Sequence, residues 1–153
     1  MALKSRALNS GALKSGSLRS PWQAGPAAAA GPVLVSVTDF TCAHARDLPS
    51  VFRAGMALRR SWPDLEGAVG LWLWSRPRQR RCGSVSVWTD ETALRRFVGW
   101  PPHVAIMRRF RDRGTIRAHA WRADAFDPVE VWARAEGVLA QAEAGAGSQT
   151  ASR

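Results

Sequence analysis

The chain has 153 residues, of which 46% are hydrophobic and eight are tryptophan, so it can bury one core but hardly two. No run approaches the roughly 18 apolar residues of a membrane helix, and the two cysteines form no CxxC pair, which indicates a cytoplasmic protein without a disulfide framework or zinc site. The net charge of +10 is consistent with nucleic-acid binding, but both lysines lie near the N-terminus and the arginine clusters are typical of solvated faces, so neither nucleic acid nor a membrane is an expected partner.

The two ends of the chain differ in composition from its middle. ALKSR, ALNSG, ALKSG and SLRSP repeat every five residues near the N-terminus, a spacing that fits neither a helix nor a strand. We therefore expect residues 1–32 to form a disordered, low-complexity extension, and residues 144–153, which are small and polar, to form a disordered tail. The folded domain is expected over residues 33–143.

The first half of that domain predicts a strand, a helix and a hairpin. Val33–Phe40 is rich in β-branched residues and reads as a strand, and Leu48–Trp62 carries a helical apolar stripe. Ala68–Ser75 and Cys82–Trp88 are two further strands, joined by the charged segment RPRQRR. The connecting loop is expected to be exposed.

The second half predicts two helical pieces, a strand and a closing helix. Thr89 or Asp90 can cap the first piece, which breaks at Gly99–Pro102, and a second piece begins there with proline in its first turn. His103 shares an apolar stripe with residues three, four and seven positions later, so it is predicted to point inward. The fourth strand is Thr115–Arg122, and Asp127 caps the closing helix.

The element order β-α-β-β-α-β-α predicts an α+β ferredoxin-like sandwich with an antiparallel four-stranded sheet and its helices on one face. Alternation along the strands predicts an aliphatic, helix-packed face made of Val33, Val35, Val37, Val69, Leu71, Leu73, Val85, Val87, Ile116, Ala118 and Ala120. The opposite face is predicted to carry Ser36, Thr38, Trp72, Trp74, Ser84, Ser86, Trp88, Arg117, His119 and Trp121. That face is too aromatic to stay in water, so another subunit or a ligand is expected to cover it.

The stretch SVSVWTDETALRRFVGWPPHVAIMRRF, from Ser84 to Phe110, resembles the dimeric α/β-barrel superfamily. This superfamily includes antibiotic biosynthesis monooxygenase-like and heme-degrading members, and the closest likeness is to spheroidene monooxygenase-like sequences. The resemblance implies a homodimer, most directly a monooxygenase-like protein that acts on or binds a hydrophobic ring-containing small molecule in a Trp-lined cleft, without a cofactor. A heme-binding version, and a non-catalytic dimerising or ligand-binding module, are the alternatives that the sequence leaves open.

The resemblance also assigns candidate roles to particular residues. His103 and Trp88 match its catalytic positions, and His103 would be the axial ligand if heme were bound; no other metal is expected. The helix N-terminus favours the neutral form of the His103 imidazole, which suits a general base or an iron ligand. The alternative interpretation is that His103 is a hydrogen-bonded packing residue. The candidate ligand-binding residues are Trp72, Trp74, Arg117, His119 and Trp121. The alternative interpretation is structural: the tryptophans would form an interface core, Arg117 would be exposed on its strand, and His119 would be a hydrogen-bonded structural histidine.

Overall fold

The computed structural model describes residues 17–150, with side-chain detail as far as Ala146. Within that range the strands are β1 (Leu18–Arg19), β2 (Gln23–Ala24), β3 (Val33–Cys42), β4 (Ala68–Arg76), β5 (Arg81–Trp88) and β6 (Gly114–Ala123). The helices are α1 (Leu48–Arg59), α2 (Glu91–Val98), α3 (Pro101–Phe110) and α4 (Pro128–Thr150), with short 3-10 turns that include Trp62–Asp64 and Arg111–Arg113. None of the helices in this part of the chain is long and apolar enough to cross a membrane.

All the strands pair antiparallel, in the order β1-β4-β5-β3-β6, and β2 also pairs with β4. The four long strands therefore take the order expected when two split β-α-β units interleave. The predicted α+β ferredoxin-like fold is confirmed. The observed sheet contains the four predicted strands and two additional short strands, β1 and β2, which pair with β4 at the edge of the sheet.

Local sequence explains where the helices begin. The Asp90 carboxylate accepts a hydrogen bond from the backbone N–H of Ala93 at 2.8 Å, so Asp90 and not Thr89 is the cap of α2. Prolines occupy the first turn of α3, where their missing N–H costs nothing. The Asp127 carboxylate accepts from Val129 and Glu130 at the start of α4, as predicted.

The predicted composition of the two sheet faces is wrong for β3 and β5. Pairing places Val35 beside Val87 and Trp121, and Val85 beside Trp72, so these valines share a face with the tryptophans of β4 and β6. The other face carries Leu34, Ser36, Thr38, Leu71, Leu73, Ser84, Ser86, Trp88, Ile116, Ala118 and Ala120. Alternation sorts the residues of one strand into two sets, but only the register between strands decides which set of each strand lies on which face.

Helices cover both faces, and this also differs from the prediction that they lie on one. Trp62 and core side chains of α1 and α2, including Phe97, pack on the face that carries Leu71 and Trp88. We call this face the cavity face. Val131, Ala135 and Leu139 of α4 are buried against the opposite face, which we call the α4 face. The chain itself thus covers its aromatic face, where the sequence suggested another subunit or a ligand.

The N-terminal segment adds to that cover. Residues 18–19 and 23–24 pair with β4, and Trp22 lies over Gly70, where a Cβ would meet the indole ring at 2.0 Å. The Trp22 and Trp72 ring centroids are 4.4 Å apart. Residues 17–32 fall in the range predicted as a disordered extension, and α4 runs to Thr150, past the predicted end of the domain at residue 143. Residues 1–16 and 151–153 lie outside the described residues.

Candidate ligand-binding cavity

A cavity of about 570 Å³ lies between α1, α3 and the cavity face of the sheet. Its volume is in the range of small-molecule sites. The wall is mainly apolar and includes Phe40, Val51, Phe52, Leu58, Trp62, Leu71, Leu73, Val104, Ile106, Met107 and Phe110. The Trp-lined cleft predicted from the sequence is not confirmed, since this cavity lies on the opposite side of the sheet from Trp72, Trp74 and Trp121.

The mouth of the cavity is also apolar. Val98, Met107 and Ile116 line it and are 52%, 37% and 45% exposed, respectively. Large apolar side chains that stay in water around an opening are typical of a binding site for an apolar molecule.

The sheet side of the cavity carries two neighbouring hydroxyl groups. The hydroxyls of Thr38 and Ser84 are 2.9 Å apart, and the Ser84 backbone N–H donates to Thr38 Oγ1 at 3.0 Å. Both residues line the cavity. They offer hydroxyl contacts to a ligand on the sheet side of a mainly apolar cavity.

His103 lines the same cavity from the first turn of α3. Its Nδ1 lies 3.0 Å from the carbonyl oxygen of Val98, and its ring centroid lies 4.5 Å from that of Phe97. Because a carbonyl only accepts, Nδ1 carries the proton of the neutral ring and Nε2 keeps a lone pair. Burial lowers the pKa of His103, although the hydrogen bond to Val98 opposes that shift. The imidazole is therefore neutral at pH 7 and can accept a proton.

Trp88, the other candidate catalytic residue, lies behind the cavity wall. It is fully buried, and its indole N–H donates to Ser86 Oγ at 2.9 Å. Its ring centroid is 5.2 Å from that of Trp62, which does line the cavity. Trp88 therefore supports the wall through Trp62 without lining the cavity.

The candidate ligand-binding tryptophans lie on the α4 face, away from His103. Trp72 packs in a cluster with Trp22, Phe126 and Trp132. Trp74 is fully buried and donates from Nε1 to the Thr38 carbonyl at 3.2 Å. Trp121 is buried, and the Arg134 guanidinium lies 4.7 Å from its ring centroid. All eight tryptophans lie within the described range, and Trp62 is the one that lines the large cavity.

Arg117 and His119 lie on the exposed edge strand β6, again on the α4 face. Arg117 donates to the Ala142 carbonyl at 3.4 Å and borders a smaller cavity of about 280 Å³. The His119 ring centroid is 6.0 Å from that of Trp121. The structure does not bring these two residues together with His103.

Three arginines line the large cavity and were not singled out by the sequence. They are Arg59 at the end of α1, Arg108 in α3 and Arg111 just after it. Extension of the His103 stripe along α3 would have found Arg111, which lies two helical turns beyond His103. Cys82 also lines the cavity, but burial, with Cys42 and Asp39 nearby, raises the pKa of its thiol to about 12, so it is no nucleophile at neutral pH.

A heme group would depend on His103 for its protein ligand. Within residues 17–146, no group of three or more His, Cys, Asp or Glu side chains is placed to hold a metal ion. His103 Nε2 has the free lone pair that an axial ligand needs, and the arginines could pair with propionates. His103 and the arginines thus meet part of what a heme site requires, namely an axial ligand and cations for the propionates.

Comparisons with known proteins identify the fold. No protein-family model matches the sequence, and a search of curated proteins finds no significant match. Among solved structures, a candidate antibiotic biosynthesis monooxygenase from Nitrosomonas europaea is 8% identical, with a TM-score of 0.54 over 64% of this chain and 94% of the other. A protein from Shewanella oneidensis is 14% identical, with a TM-score of 0.55 over 61% of this chain and 93% of the other.

SnoaB, a cofactor-independent oxygenase from Streptomyces nogalater, is 24% identical, with a TM-score of 0.49 over 63% of this chain and 97% of its own. At such identities the likeness is one of fold, because function resides in a site and not in a scaffold. This chain has the ferredoxin-like α+β fold that antibiotic biosynthesis monooxygenase-like proteins adopt.

Proposed function

We propose that this protein is a monooxygenase-like enzyme that oxidises a hydrophobic, ring-containing small molecule in the large cavity, with His103 as the general base. One observation carries the proposal: an apolar cavity of about 570 Å³ has a neutral imidazole in its wall, with Nδ1 held by Val98. The shared fold with a candidate antibiotic biosynthesis monooxygenase supports the reaction class. The role of Trp88 is to support Trp62 and so the shape of the wall.

The proposed reaction needs no external reductant. Nε2 of His103 takes a proton from a ring CH₂ whose carbanion is stabilised by conjugation with a ring carbonyl, and the Thr38 and Ser84 hydroxyls can hydrogen-bond that carbonyl. The carbanion gives electrons to O₂, a C–O bond forms, and the imidazolium returns the proton to give a hydroperoxide. Loss of the second C–H proton and cleavage of the O–O bond then leave a ketone and water. The substrate supplies all four electrons, and each oxygen atom is accounted for.

Anthrone is a suitable test substrate, since its acidic CH₂ lies between two aromatic rings and gives anthraquinone. Oxygen uptake and anthraquinone formation are measured for the native protein and for His103→Gln, after subtraction of the uncatalysed rate. We expect kcat to fall by about 100-fold or more, the usual contribution of a general base. His119→Gln is the matched control, because His119 lies on the opposite face of the sheet.

Equal rates in the native protein and His103→Gln would contradict the catalytic role. Binding of anthraquinone without any oxygen uptake would instead favour the ligand-binding module. A Soret band formed with added hemin and lost in His103→Gln would favour the heme-binding version.

Self-association is a separate proposal that rests on β6. This ten-residue strand is a sheet edge, pairs with β3 along one side, and exposes Ile116, Ala118 and Ala120 on the cavity face. A long edge strand with exposed apolar side chains is prone to pair with another chain. Light scattering should give the mass of a dimer for the native protein and of a monomer for Ala118→Lys; a monomeric native protein would contradict the proposal.

A further inference from the structure

The charged side chains of the large cavity are all of one sign. Among the described residues that line it, the charged ones are Arg59, Arg108 and Arg111, and no Asp or Glu is present. None of the three forms an ion pair with another described residue, whereas Arg76, Arg81, Arg95, Arg96 and Arg113 all do. Arg108 and Arg111 are exposed residues, so their positive charge lies at the rim of an apolar cavity.

The arginine run at the end of α3 is divided between two roles. Arg108 lies in the last turn of α3 and Arg111 begins the 3-10 turn that follows, and both border the cavity. Arg109 and Arg113 instead place their guanidinium groups 5.0 and 5.9 Å from the Phe110 ring centroid, and Arg113 pairs with Asp47 at 3.3 Å. The fold therefore directs one pair to the cavity and uses the other for packing.

A third arginine borders the cavity from α1. Arg59 donates from Nη2 to the Pro21 carbonyl at 3.1 Å, which holds the side chain in place. Its Nε is buried and has no hydrogen-bond partner in the part of the chain that the structure describes. A buried donor without an acceptor is costly, and a cavity-lining residue is a natural place to gain one from a ligand.

The spacing along α3 sets the distance between His103 and the two arginines that follow it. Arg108 is five residues after His103 and Arg111 is eight residues after it, which corresponds to about 7.5 and 12 Å along the helix axis. That separation is on the scale of a short fused-ring system. A ligand whose reacting carbon meets His103 would therefore bring its far end to these two arginines.

We infer that the substrate carries a carboxylate at the end of its ring system remote from the reacting carbon, bound by Arg108 and Arg111. The planar guanidinium group matches a carboxylate in geometry as well as charge. The inference rests on the proposed function, since it uses the same cavity and His103 to orient the ligand. It narrows the substrate class from any hydrophobic ring compound to an aromatic or polycyclic acid.

Two probes of nearly the same shape test the inference. Anthracene-2-carboxylate and anthracene-2-carboxamide differ in charge, and the fluorescence anisotropy of each reports binding. For the native protein at physiological salt, we expect the Kd of the carboxylate to be roughly 10- to 100-fold lower than that of the carboxamide, as for hydrogen bonds to charged groups.

The variants separate local recognition from the general attraction of a basic protein. The double variant Arg108→Gln, Arg111→Gln should lose the preference for the carboxylate and keep its affinity for the carboxamide. The matched double variant Arg109→Gln, Arg113→Gln has the same net charge and should keep the preference. The inference would be overturned if both double variants lost the preference for the carboxylate equally, or if the two probes had equal Kd values in the native protein. The proposed function would remain intact in either case as long as the carboxamide binds. If neither probe binds, the proposed function fails together with the inference.

Discussion

The two faces of the sheet are packed in opposite ways. On the α4 face, the tryptophans and valines of the strands meet α4 and Trp22 in a continuous core. On the cavity face, the core under α1 and α2 continues into an apolar space of about 570 Å³ that no side chain of residues 17–146 fills. One sheet thus carries a closed face that stabilises the fold and an open face that can hold a ligand.

The charges follow the same division. At the α4 face, Arg76 pairs with Glu136 at 2.7 Å and Arg81 pairs with Asp39 at 2.6 Å, both with buried guanidinium groups. Arg81 also donates to the Leu139 carbonyl of α4 at 3.0 Å. At the cavity face, the arginines have no such partners within the described residues. The ion pairs of the α4 face are buried and hold α4 on the sheet, while Arg108 and Arg111 at the cavity face are exposed to solvent.

The largest expected effect comes from breaking the closed face. Asp39→Ala removes the buried carboxylate of Arg81 and leaves only the exposed Glu143 at 3.7 Å as an ion-pair partner, so we expect the free energy of unfolding to fall by about 3 kcal/mol. Urea denaturation measures this change. The control Asp112→Ala removes an exposed carboxylate and should change stability by less than about 0.5 kcal/mol; similar losses in both variants would show that the buried pair has no special role.

A smaller effect should follow from filling the open face. Gly55 lies in the wall of the cavity on α1, so the ring of Gly55→Phe is expected to enter the space. We expect the affinity for anthracene-2-carboxamide to fall about tenfold or more, because the ligand and the new ring compete for one volume. Anisotropy titration measures the loss, and unchanged affinity would place the ligand elsewhere.

The pH dependence tests the state of His103. Since burial lowers its pKa below the ordinary value of about 6.5, the base is already unprotonated at neutral pH. The acid limb of kcat/KM should therefore be centred below the ordinary histidine value of about 6.5, and the rate should fall by about tenfold per pH unit well below that pKa. An acid limb of kcat/KM centred above pH 7 would contradict this assignment.

The smallest effect is a stabilising one. A Cβ at Gly55 would lie 3.5 Å from Leu73 Cδ1, an ordinary contact, so Gly55→Ala should fit with the cavity still open. Alanine is favoured over glycine inside a helix by about 0.5–1 kcal/mol. Thermal denaturation should show that gain with an unchanged probe Kd, which makes this variant the control for Gly55→Phe. A stability loss would mean that the wall does not tolerate even a methyl group.

The sequence predicted the elements and the inward position of His103 because these depend on residues close together in the chain. Asp90 and Asp127 cap their helices through local hydrogen bonds, and the α3 stripe needs only helical periodicity. The predicted site residues do not form one group, since Trp88 lies behind the cavity wall and Trp72, Trp74 and Trp121 lie on the other side of the sheet. The predicted sheet faces, which put Trp88 with those three tryptophans, are wrong because only the pairing of distant strands decides which set of each strand lies on which face.

By itself, then, the amino-acid sequence determined the order of helices and strands, the ferredoxin-like class and a histidine that points inward, because side-chain spacing and capping act over a few residues. Only the tertiary structure decided which face holds the tryptophans, that α4 and Trp22 cover that face, and that a cavity bordered by Arg108 and Arg111 lies on the other. Those features depend on strand register and on how well side chains from distant segments fill a shared volume. Neither property can be read from spacing along the chain.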